Sequence, residues 1–496
     1  MSITNIKKRL NAILNFMHPY WEFVNCHMVN YITDKHWNQH IPTDIRAEIS
    51  DEQNVQDCIK NIFIHKNKKE LKLDEFKAIN QFFSHALEYD LSNCEDIITT
   101  VEDLYKSLGK EHVNEKLSIK EFMSEKKSHE VELTAELVND LMEIHPNEKH
   151  NLMFIVDAGD GKGYLSSRLA LQYKHKVLGI DFNEQNTESA LRRSNKLQRA
   201  WNSLTVRAEL KNKGITPPRR GNKPKDKIVS TNINENVINY QTISKFITTD
   251  LKITHLIKEL FSIPTMVSPN FCLTGLHTCG NLAPTCLKVF HAQQECKIIC
   301  NIGCCYHMLK ESFSGPEFFG NKVFMDKQTT EGFPMSNFLR NKKVKLGRNA
   351  RMLAVQSMDR TLAANELPNI SLFYRALLEV LICEMNPDLR NTVQVGRIKK
   401  YRNFKEYLKL CSNKVNINFE SISTERITKI ESDYAIHKNY LDLFYLLRMA
   451  FAPVLESIIL LDRLLYLKEL GYERSYLVPI FDSLISPRCF AVIALK

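Results

Sequence analysis

The sequence predicts an α/β protein with a Rossmann-like sheet, an N-terminal helical domain and a helical insertion before the last two strands. From about residue 150, short apolar runs alternate with helical segments, which is the pattern of successive βαβ units. A glycine-rich turn follows the first of these runs. The residues after Gly471 become β-rich again after a long helical stretch. Together these observations favour one sheet whose last strands come from the end of the chain.

Residues 1–120 are the predicted N-terminal helical domain. Apolar residues recur there at helical spacing, without a glycine-rich loop or a dense Cys/His cluster. The pattern is carried by Ile6, Leu10, Ile13, Leu14 and Met17, and then by Leu71, Phe76, Ile79, Phe82, Phe83 and Leu87. We interpret this domain as a helical cap or an interaction module.

Residues 121–364 are the predicted core and contain five candidate strands. In chain order these strands are residues 152–156, 176–180, 245–249, 270–276 and 297–302. A flexible insertion is expected at about residues 205–240, because residues 207–227 are rich in Lys, Arg, Pro and Gly and have little apolar surface to bury. The simplest interpretation is a solvated linker, and the alternative is an arm that contacts RNA.

Residues 365–470 are predicted to be a helical insertion. Residues 471–496 are expected to complete the sheet with an antiparallel pair at 476–481 and 489–495. The most apolar stretch, residues 441–467, carries several charged side chains, which favours a buried helix over a membrane span. We therefore expect no membrane association.

Charge and cysteine content limit the class of protein that this chain can belong to. Lys and Arg total 67 against 57 for Asp and Glu, and this excess permits a polyanionic partner without requiring one. The N-terminus shows no signal peptide, so the thirteen cysteines are interpreted as reduced thiols of an intracellular protein of the cytoplasm or nucleus. The sequence does not predict an oligomeric state.

The strongest candidate for a binding site is the glycine-rich turn after the first predicted strand. Gly159, Gly161 and Gly163 follow Asp157 and let the backbone approach a ligand closely, with the N–H groups of the following helix nearby. Asp181 ends the next predicted strand, where a carboxylate can accept hydrogen bonds from both ribose hydroxyls of an adenosine-type ligand. The turn and this carboxylate together predict a nucleotide-like cofactor.

Two classes of cofactor fit this arrangement. Dinucleotides are usually bound through G-x-G-x-x-G, but the residues after Gly163 do not supply the third glycine at the expected place. An Asp before the first glycine is instead typical of enzymes that use S-adenosyl-L-methionine. The sequence therefore predicts a class I methyltransferase core, in which an oxygen or nitrogen nucleophile attacks the methyl carbon in line. Asp250, after the third predicted strand, is expected to reach the adenine amino group and also fits a helix N-cap.

Polar side chains also follow the fourth and fifth predicted strands. His277 and Cys279 follow one strand, and Cys304, Cys305 and His307 follow the other. Both strand ends should face the same crevice as the glycine turn, where either histidine can act as a general base. The cysteines are interpreted as buried thiols, with nucleophiles or zinc ligands as the alternatives that the sequence leaves open. Buried thiols are favoured over zinc ligands because the sequence has no C-x-x-C pair and because adjacent Cys304 and Cys305 should point apart on an extended backbone.

Several motifs together resemble the methyltransferase-like protein 25 family. They are DAGDGKG at 157–163, GLHTCGNL at 275–282, GCCYH at 303–307, GFPMS at 332–336, MSEKKSHEV at 123–131 and SPRC at 486–489. The resemblance implies an S-adenosyl-L-methionine-dependent methyltransferase. It also implies that Lys126, Lys127, His129 and Glu130 lie at the cofactor mouth, where Lys127 can hold the methionine carboxylate. A solvated, charged helix start is the alternative.

The nature of the methyl acceptor is less constrained. The His-x-Cys-Gly and Cys-Cys-x-His motifs are similar to those of eukaryotic tRNA 2′-O-methyltransferases, which raises RNA as a substrate class. Enzymes that modify exocyclic amines usually carry Asn/Asp-Pro-Pro-aromatic where this chain has Leu276-His277-Thr278-Cys279, so adenine N6 dimethylation is disfavoured.

The predicted function is methyl transfer to RNA, at a hydroxyl or ring nitrogen, or to protein. Basic residues in 207–227, from Arg340 to Arg351 and in 397–402 are the predicted phosphate contacts. The alternative is a non-catalytic S-adenosyl-L-methionine-binding or scaffold protein that works through its helical segments.

Overall fold

A computed structural model describes most of the chain. The described residues are 2–64, 76–109, 119, 123–144, 152–217, 239–313, 331–390, 393, 395–415 and 417–496. Part of the predicted flexible insertion, residues 218–238, lies outside these ranges, as does Leu71 of the helical pattern.

Seven strands within the described ranges form one sheet. They are β1 (Met153–Ala158), β2 (Val177–Asp181), β3 (Tyr240–Ser244), β4 (Asn270–Cys279), β5 (Cys296–Cys304), β6 (Ser475–Pro479) and β7 (Phe490–Leu495). The strand order is β3-β2-β1-β4-β5-β7-β6. Strands β1 to β5 pair in parallel, whereas β7 is antiparallel to both of its neighbours, β5 and β6. The order reverses between β1 and β4, which is where open α/β sheets bind ligands.

The helices begin and end as follows: α1 (Ile3–Met17), α2 (Trp21–Asn25), α3 (His36–His40), α4 (Thr43–Glu48), α5 (Glu52–Ile64), α6 (Lys77–Glu88), α7 (Val101–Ser107), α8 (Glu125–Met142), α9 (Tyr164–Gln172), α10 (Glu184–Asn212), α11 (Ile253–Leu260), α12 (Leu282–Ala292), α13 (Asn337–Asn341), α14 (Arg348–Leu353), α15 (Met358–Ala364), α16 (Ser371–Met385), α17 (Phe404–Val415), α18 (Thr424–Asp433), α19 (His437–Met449) and α20 (Phe451–Glu469).

The chain divides into two compact units. The sheet unit comprises Met1–Leu10, Cys94–Lys345 and Ile458–Lys496, and the helical unit comprises Asn11–Asn93 and Leu346–Ser457. In the sheet unit, α8, α9, α10 and α12 pack against the strands. In the helical unit, the ring of Phe451 lies at the centre of an aromatic cluster, whose other members are Phe16, Tyr20, Phe23 and Phe82.

The predicted final strand pair is confirmed. Strands β6 and β7 pair with each other in antiparallel register, and β7 adds to the edge of the sheet at β5. The long helical stretch before them, His437–Glu469, is long and apolar enough to cross a membrane, with a mean hydropathy of 1.8. However, 89% of its most apolar window is buried inside the protein, which is the pattern of a core helix.

The predicted third strand at 245–249 is wrong. β3 instead covers Tyr240–Ser244, where Tyr240 pairs with Val177 and Ser244 with Asp181. Residues 245–249 lie beyond the end of β2, and Phe246 is 50% exposed and not part of the sheet core. Asp250 therefore lies in an exposed turn, six residues after the strand ends, so its predicted position as the strand-ending acid is wrong.

The predicted flexible insertion is wrong for its first residues. α10 is 29 residues long and continues to Asn212. Its apolar stripe packs into a cluster formed by Leu197, Trp201, Leu204, Ala208 and Ile119. The basic residues of this segment lie on the remaining faces of the helix, so a high Lys/Arg content does not prevent helix formation.

Candidate active site

The glycine-rich turn joins β1 to α9 at the carboxyl edge of the sheet. Gly159, Gly161 and Gly163 have φ values of +74°, +59° and +65°, a region that glycine adopts at little cost. Gly163 is the N-cap residue of α9, so the N–H groups of the first helical turn follow this bend directly. The sequence thus produces a tight turn immediately before a helix, as predicted.

Asp181 lies directly beside this turn. Its Oδ2 accepts a 2.9 Å hydrogen bond from the N–H of Gly161, and its Oδ1 accepts bonds from the Asn183 N–H (2.8 Å) and the Asn186 amide (3.2 Å). A carboxylate has about four acceptor positions, so one position on Oδ2 is not used by these contacts. The structure therefore brings together the two features that the sequence singled out.

A buried acidic layer supports the turn. The Ser166 hydroxyl lies within hydrogen-bond distance of both Asp157 (3.0 Å) and Asp160 (2.6 Å), and the Tyr240 hydroxyl donates to Asp160. Burial, followed by the charge of Asp160, raises the pKa of Asp157 well above its usual range. Burial also raises the pKa of Asp160, against the hydrogen bonds from Ser166 and Tyr240. Burial and the proximity of the two carboxyl groups therefore both favour the protonated form of Asp157, which is buried below the turn.

Close contacts with neighbouring side chains explain the glycines at positions 163 and 179. A Cβ on Gly179 would lie 2.2 Å from Oδ2 of Asp160, and one on Gly163 would lie 2.8 Å from the Tyr240 hydroxyl. By contrast, a Cβ on Gly161 would meet only the Gly159 carbonyl, at 3.8 Å. The bend is thus packed against the protein on one side and open on the other.

An aromatic pair lies next to Asp181. Phe182 and Phe246 stack with their ring centroids 5.4 Å apart, and they are 42% and 50% exposed. Contiguous exposed apolar side chains, unlike isolated ones, can mark a binding surface. The pair supplies an apolar face beside the carboxylate, at a place that sequence reasoning does not identify.

His277 lies at a β-bulge near the end of β4. The register with β5 passes from Leu276 to Thr278 without pairing His277, whose φ is +69°. Such a conformation is strained for a residue with a Cβ and re-aims its side chain. Its Nε2 lies 2.8 Å from a carboxylate oxygen of Glu130.

Glu130 is the centre of a polar network that joins three parts of the sheet unit. Besides His277, it pairs with Lys127 (2.9 Å) and accepts a hydrogen bond from Ser486 (2.7 Å). Its side chain is fully buried, and burial alone would raise its pKa. The hydrogen bond from His277 and the pairs with His277 and Lys127 instead lower the pKa of Glu130 to about 2. Lys127, predicted to hold a methionine carboxylate, therefore already has an internal partner.

Three cysteines converge where β4 and β5 end. The sulfur of Cys304 lies 3.2 Å from that of Cys279 and 3.5 Å from that of Cys305. The expectation that Cys304 and Cys305 point apart is wrong, because Cys305 has a φ of +51° and the backbone is not extended there. Hydrogen bonds from Cys279 and Cys304, with the charges of His307 and His277, lower the pKa of Cys305.

The region that contains this site is similar to a known protein family, and the whole chain is similar to named proteins. The methyltransferase domain family matches residues 126–312, which include the glycine turn, Asp181, Glu130 and the ends of β4 and β5. The human protein named "Probable methyltransferase-like protein 25" is 27% identical over an alignment of 617 residues, which covers 100% of this chain and 98% of that protein. The mouse protein of the same name is 28% identical over 606 residues, covering 100% and 97%.

The chain is similar to these proteins over the whole of its given sequence and over nearly all of theirs. The predicted resemblance to the methyltransferase-like protein 25 family is thereby confirmed, and so is the predicted class I methyltransferase fold. No solved structure matches the chain significantly. The sheet order, with an antiparallel β7 between β5 and β6, differs from the order 3-2-1-4-5-6 of the usual dinucleotide-binding sheet.

Proposed function

We propose that this protein is an S-adenosyl-L-methionine-dependent methyltransferase that binds its cofactor at the glycine turn and Asp181. One observation supports the proposal above all others. Within a methyltransferase domain, the N–H of Gly161 and the carboxylate of Asp181 lie 2.9 Å apart at the ends of β1 and β2, beside the point where the strand order reverses. This is where an adenosyl group would be recognised through its ribose.

The residues around the turn fit that ligand. The space beside Gly161 is open, so a ligand can approach the main chain there. Oδ2 of Asp181 keeps an acceptor position for a ribose hydroxyl. The exposed face of Phe182 can pack against an adenine ring. When bound, S-adenosyl-L-methionine supplies an electrophilic methyl group. Asp250 lies in the segment that follows β3, and its contact with the adenine amino group stays a prediction.

His277 is the proposed general base. Glu130 contacts Nε2, and a carboxylate there favours the tautomer that carries the proton on Nε2. Nδ1 is then left to accept a proton from the methyl acceptor, and the described residues make no hydrogen bond to it. In this role Glu130 is a positioning residue, because it acts through His277. His307 follows β5 nearby and is the second candidate for the base.

RNA is the proposed acceptor, because α10 carries a basic face. Arg192, Lys196 and Arg199 are exposed at helical spacing and line a concavity of about 530 Å³. Such a stripe suits the phosphates of a nucleic acid. Of the phosphate contacts predicted from the sequence, Arg340 is exposed, whereas Arg351 is fully buried and cannot reach a phosphate, so that part of the prediction is wrong.

Methyl transfer from labelled S-adenosyl-L-methionine tests the proposal. The pure protein is incubated with the labelled compound and with separate RNA and protein pools from a cell lysate, and Asp181→Ala serves as the inactive variant. The proposal predicts label in the RNA pool that depends on Asp181. Label only in protein would overturn the RNA assignment. Cofactor binding with no label in either pool would favour the non-catalytic alternative.

A further inference from the structure

The thiol cluster at the ends of β4 and β5 is not used by the proposed methyl transfer. The sulfur atoms of Cys279, Cys304 and Cys305 all lie within 4.8 Å of one another. Cys304 is buried, Cys305 is half-buried and Cys279 is exposed, so an ion can enter the cluster from the Cys279 side.

The spacing of the sulfurs suits a metal ion better than a disulfide. Zinc–thiolate bonds of about 2.3 Å in a tetrahedral site separate the sulfurs by about 3.8 Å. A disulfide needs about 2.05 Å. The separations of 3.2 and 3.5 Å lie closer to the first value. A disulfide would also use only two of the three sulfurs.

The backbone that carries the cluster is held in unusual conformations. Cys305 has a φ of +51°, and Gly280, directly after Cys279, has a φ of +53°. The N–H of Gly280 donates to the carbonyl of Cys304 at 3.2 Å. A Cβ on Gly280 would lie 2.6 Å from Cβ of Met308, so this packing also requires glycine. The fold therefore fixes the positions of the three sulfurs before any ion arrives.

We propose that Cys279, Cys304 and Cys305 bind one thiophilic metal ion through three thiolates, and that this ion is zinc. Soft sulfur ligands in a tetrahedral arrangement select zinc over harder cations. The ring nitrogens of His277 and His307 lie outside the 4.8 Å group, which leaves the fourth coordination position open toward the crevice. Sites with three protein ligands and one open position are typical of catalytic zinc. Metal binding does not depend on the methyltransferase proposal.

A second cluster in the described residues offers one sulfur and two imidazole nitrogens but suits a cation less well. Cys26, His36 and His40 bring three candidate ligand atoms within 4.8 Å in the helical unit. The guanidinium of Arg448 lies close enough to His36 and His40 for its positive charge to act on both rings. His36 also stacks on Phe444. A neighbouring guanidinium repels a metal ion, so this cluster is a matched control.

Metal analysis of the full-length protein tests the proposal. The protein is purified under reducing conditions, its zinc content is measured by mass spectrometry, and cobalt(II) is substituted to look for thiolate-to-metal charge-transfer absorption. We expect about one zinc ion per chain and a charge-transfer band. Cys304→Ser and, separately, the milder Cys279→Ser should lose most of the metal and the band. Cys26→Ser should keep both.

The outcomes separate this proposal from the others. Zinc-free protein without a cobalt band, or metal lost from Cys26→Ser and retained by Cys304→Ser, would overturn it. A reducible Cys279–Cys304 crosslink in place of bound metal would also overturn it. S-Adenosyl-L-methionine binding is measured in parallel on each variant, so that a failure of the cofactor proposal is seen independently of the metal content. Circular dichroism checks that Cys279→Ser is folded.

Discussion

The main-chain N–H of Gly161 donates a hydrogen bond to the carboxylate of Asp181, with a nitrogen–oxygen distance of 2.9 Å. This bond joins the bend after β1 to the end of β2, so the turn and the acid lie side by side. A ligand that contacts the backbone of the bend is therefore within reach of the carboxylate. The cofactor site depends on this relationship and on the polar network that surrounds it.

Asp181→Ala should weaken S-adenosyl-L-methionine binding by roughly 10- to 100-fold, because it removes charge-assisted hydrogen bonds of about 1.5–3 kcal/mol. Calorimetric titration measures the change. Glu184→Ala is the matched control, since Glu184 is an exposed acid three residues further along the chain and should bind the cofactor normally. Equal affinity in Asp181→Ala and the wild type would remove the ribose assignment.

Gly161→Ala should reduce cofactor affinity by about tenfold or more, since the new methyl group enters the open space beside the bend. The positive φ should also cost about 1–2 kcal/mol of folding stability. Gly471→Ala is the control for that strain, because Gly471 has a φ of +87° and nothing within 4 Å of an added Cβ. If both variants bind the cofactor as the wild type does, the ligand does not occupy this space.

Gly179→Ala should act differently, through packing. Gly179 does not have a positive φ, but its Cβ would lie 2.2 Å from Oδ2 of Asp160. Asp160 must then move, and we expect a loss of about 1–3 kcal/mol in the free energy of unfolding together with weaker cofactor binding. Urea unfolding and calorimetry on one preparation measure both. Unchanged stability would show that Asp160 is not held against β2.

Glu130→Gln should destabilise the protein near neutral pH and much less in acid. The usual pKa of a glutamate is 4.5, and that of Glu130 is lowered to about 2 in the folded protein. The stabilisation of up to about 3 kcal/mol is therefore present above pH 4.5 and lost as the pH falls toward 2. Urea unfolding at several pH values measures it, with the exposed Glu125→Gln as the control. A difference that does not vary with pH would contradict the charge network.

Replacing Arg192, Lys196 and Arg199 together by alanine should weaken RNA binding and flatten its salt dependence. For every phosphate that the variant no longer neutralises, the slope of log affinity against log salt should fall by about one. Filter binding over a range of salt concentrations measures the slope. Lys60→Ala, at an exposed lysine of α5, is the control. An unchanged slope would exclude α10 as the RNA-binding face.

The turn and Asp181 can be predicted because each depends on local sequence. Three glycines in a five-residue stretch after an apolar run define a bend, and an acid after the next apolar run falls at the same sheet edge. The third predicted strand is misplaced because residues 245–249 are as β-favouring as 240–244. The register with β2, which only the sheet determines, selects the segment at 240–244.

The supporting network cannot be predicted, because its members are far apart in the chain. Tyr240 reaches Asp160 across 80 positions, and Ser486 reaches Glu130 across 356. Such pairings depend on how the elements pack, for which a single sequence carries no signal. The conformation of Cys305 escapes prediction for a similar reason, since a positive φ in a non-glycine residue is imposed by tertiary structure.

The central claim is that the bend at Gly161 and the carboxylate of Asp181 form a pocket for S-adenosyl-L-methionine. Calorimetric titration of this compound into the folded, full-length protein tests it most directly. We predict saturable binding of one molecule per chain, with competition by S-adenosylhomocysteine. The absence of any binding heat from protein whose circular dichroism shows it to be folded would contradict the claim.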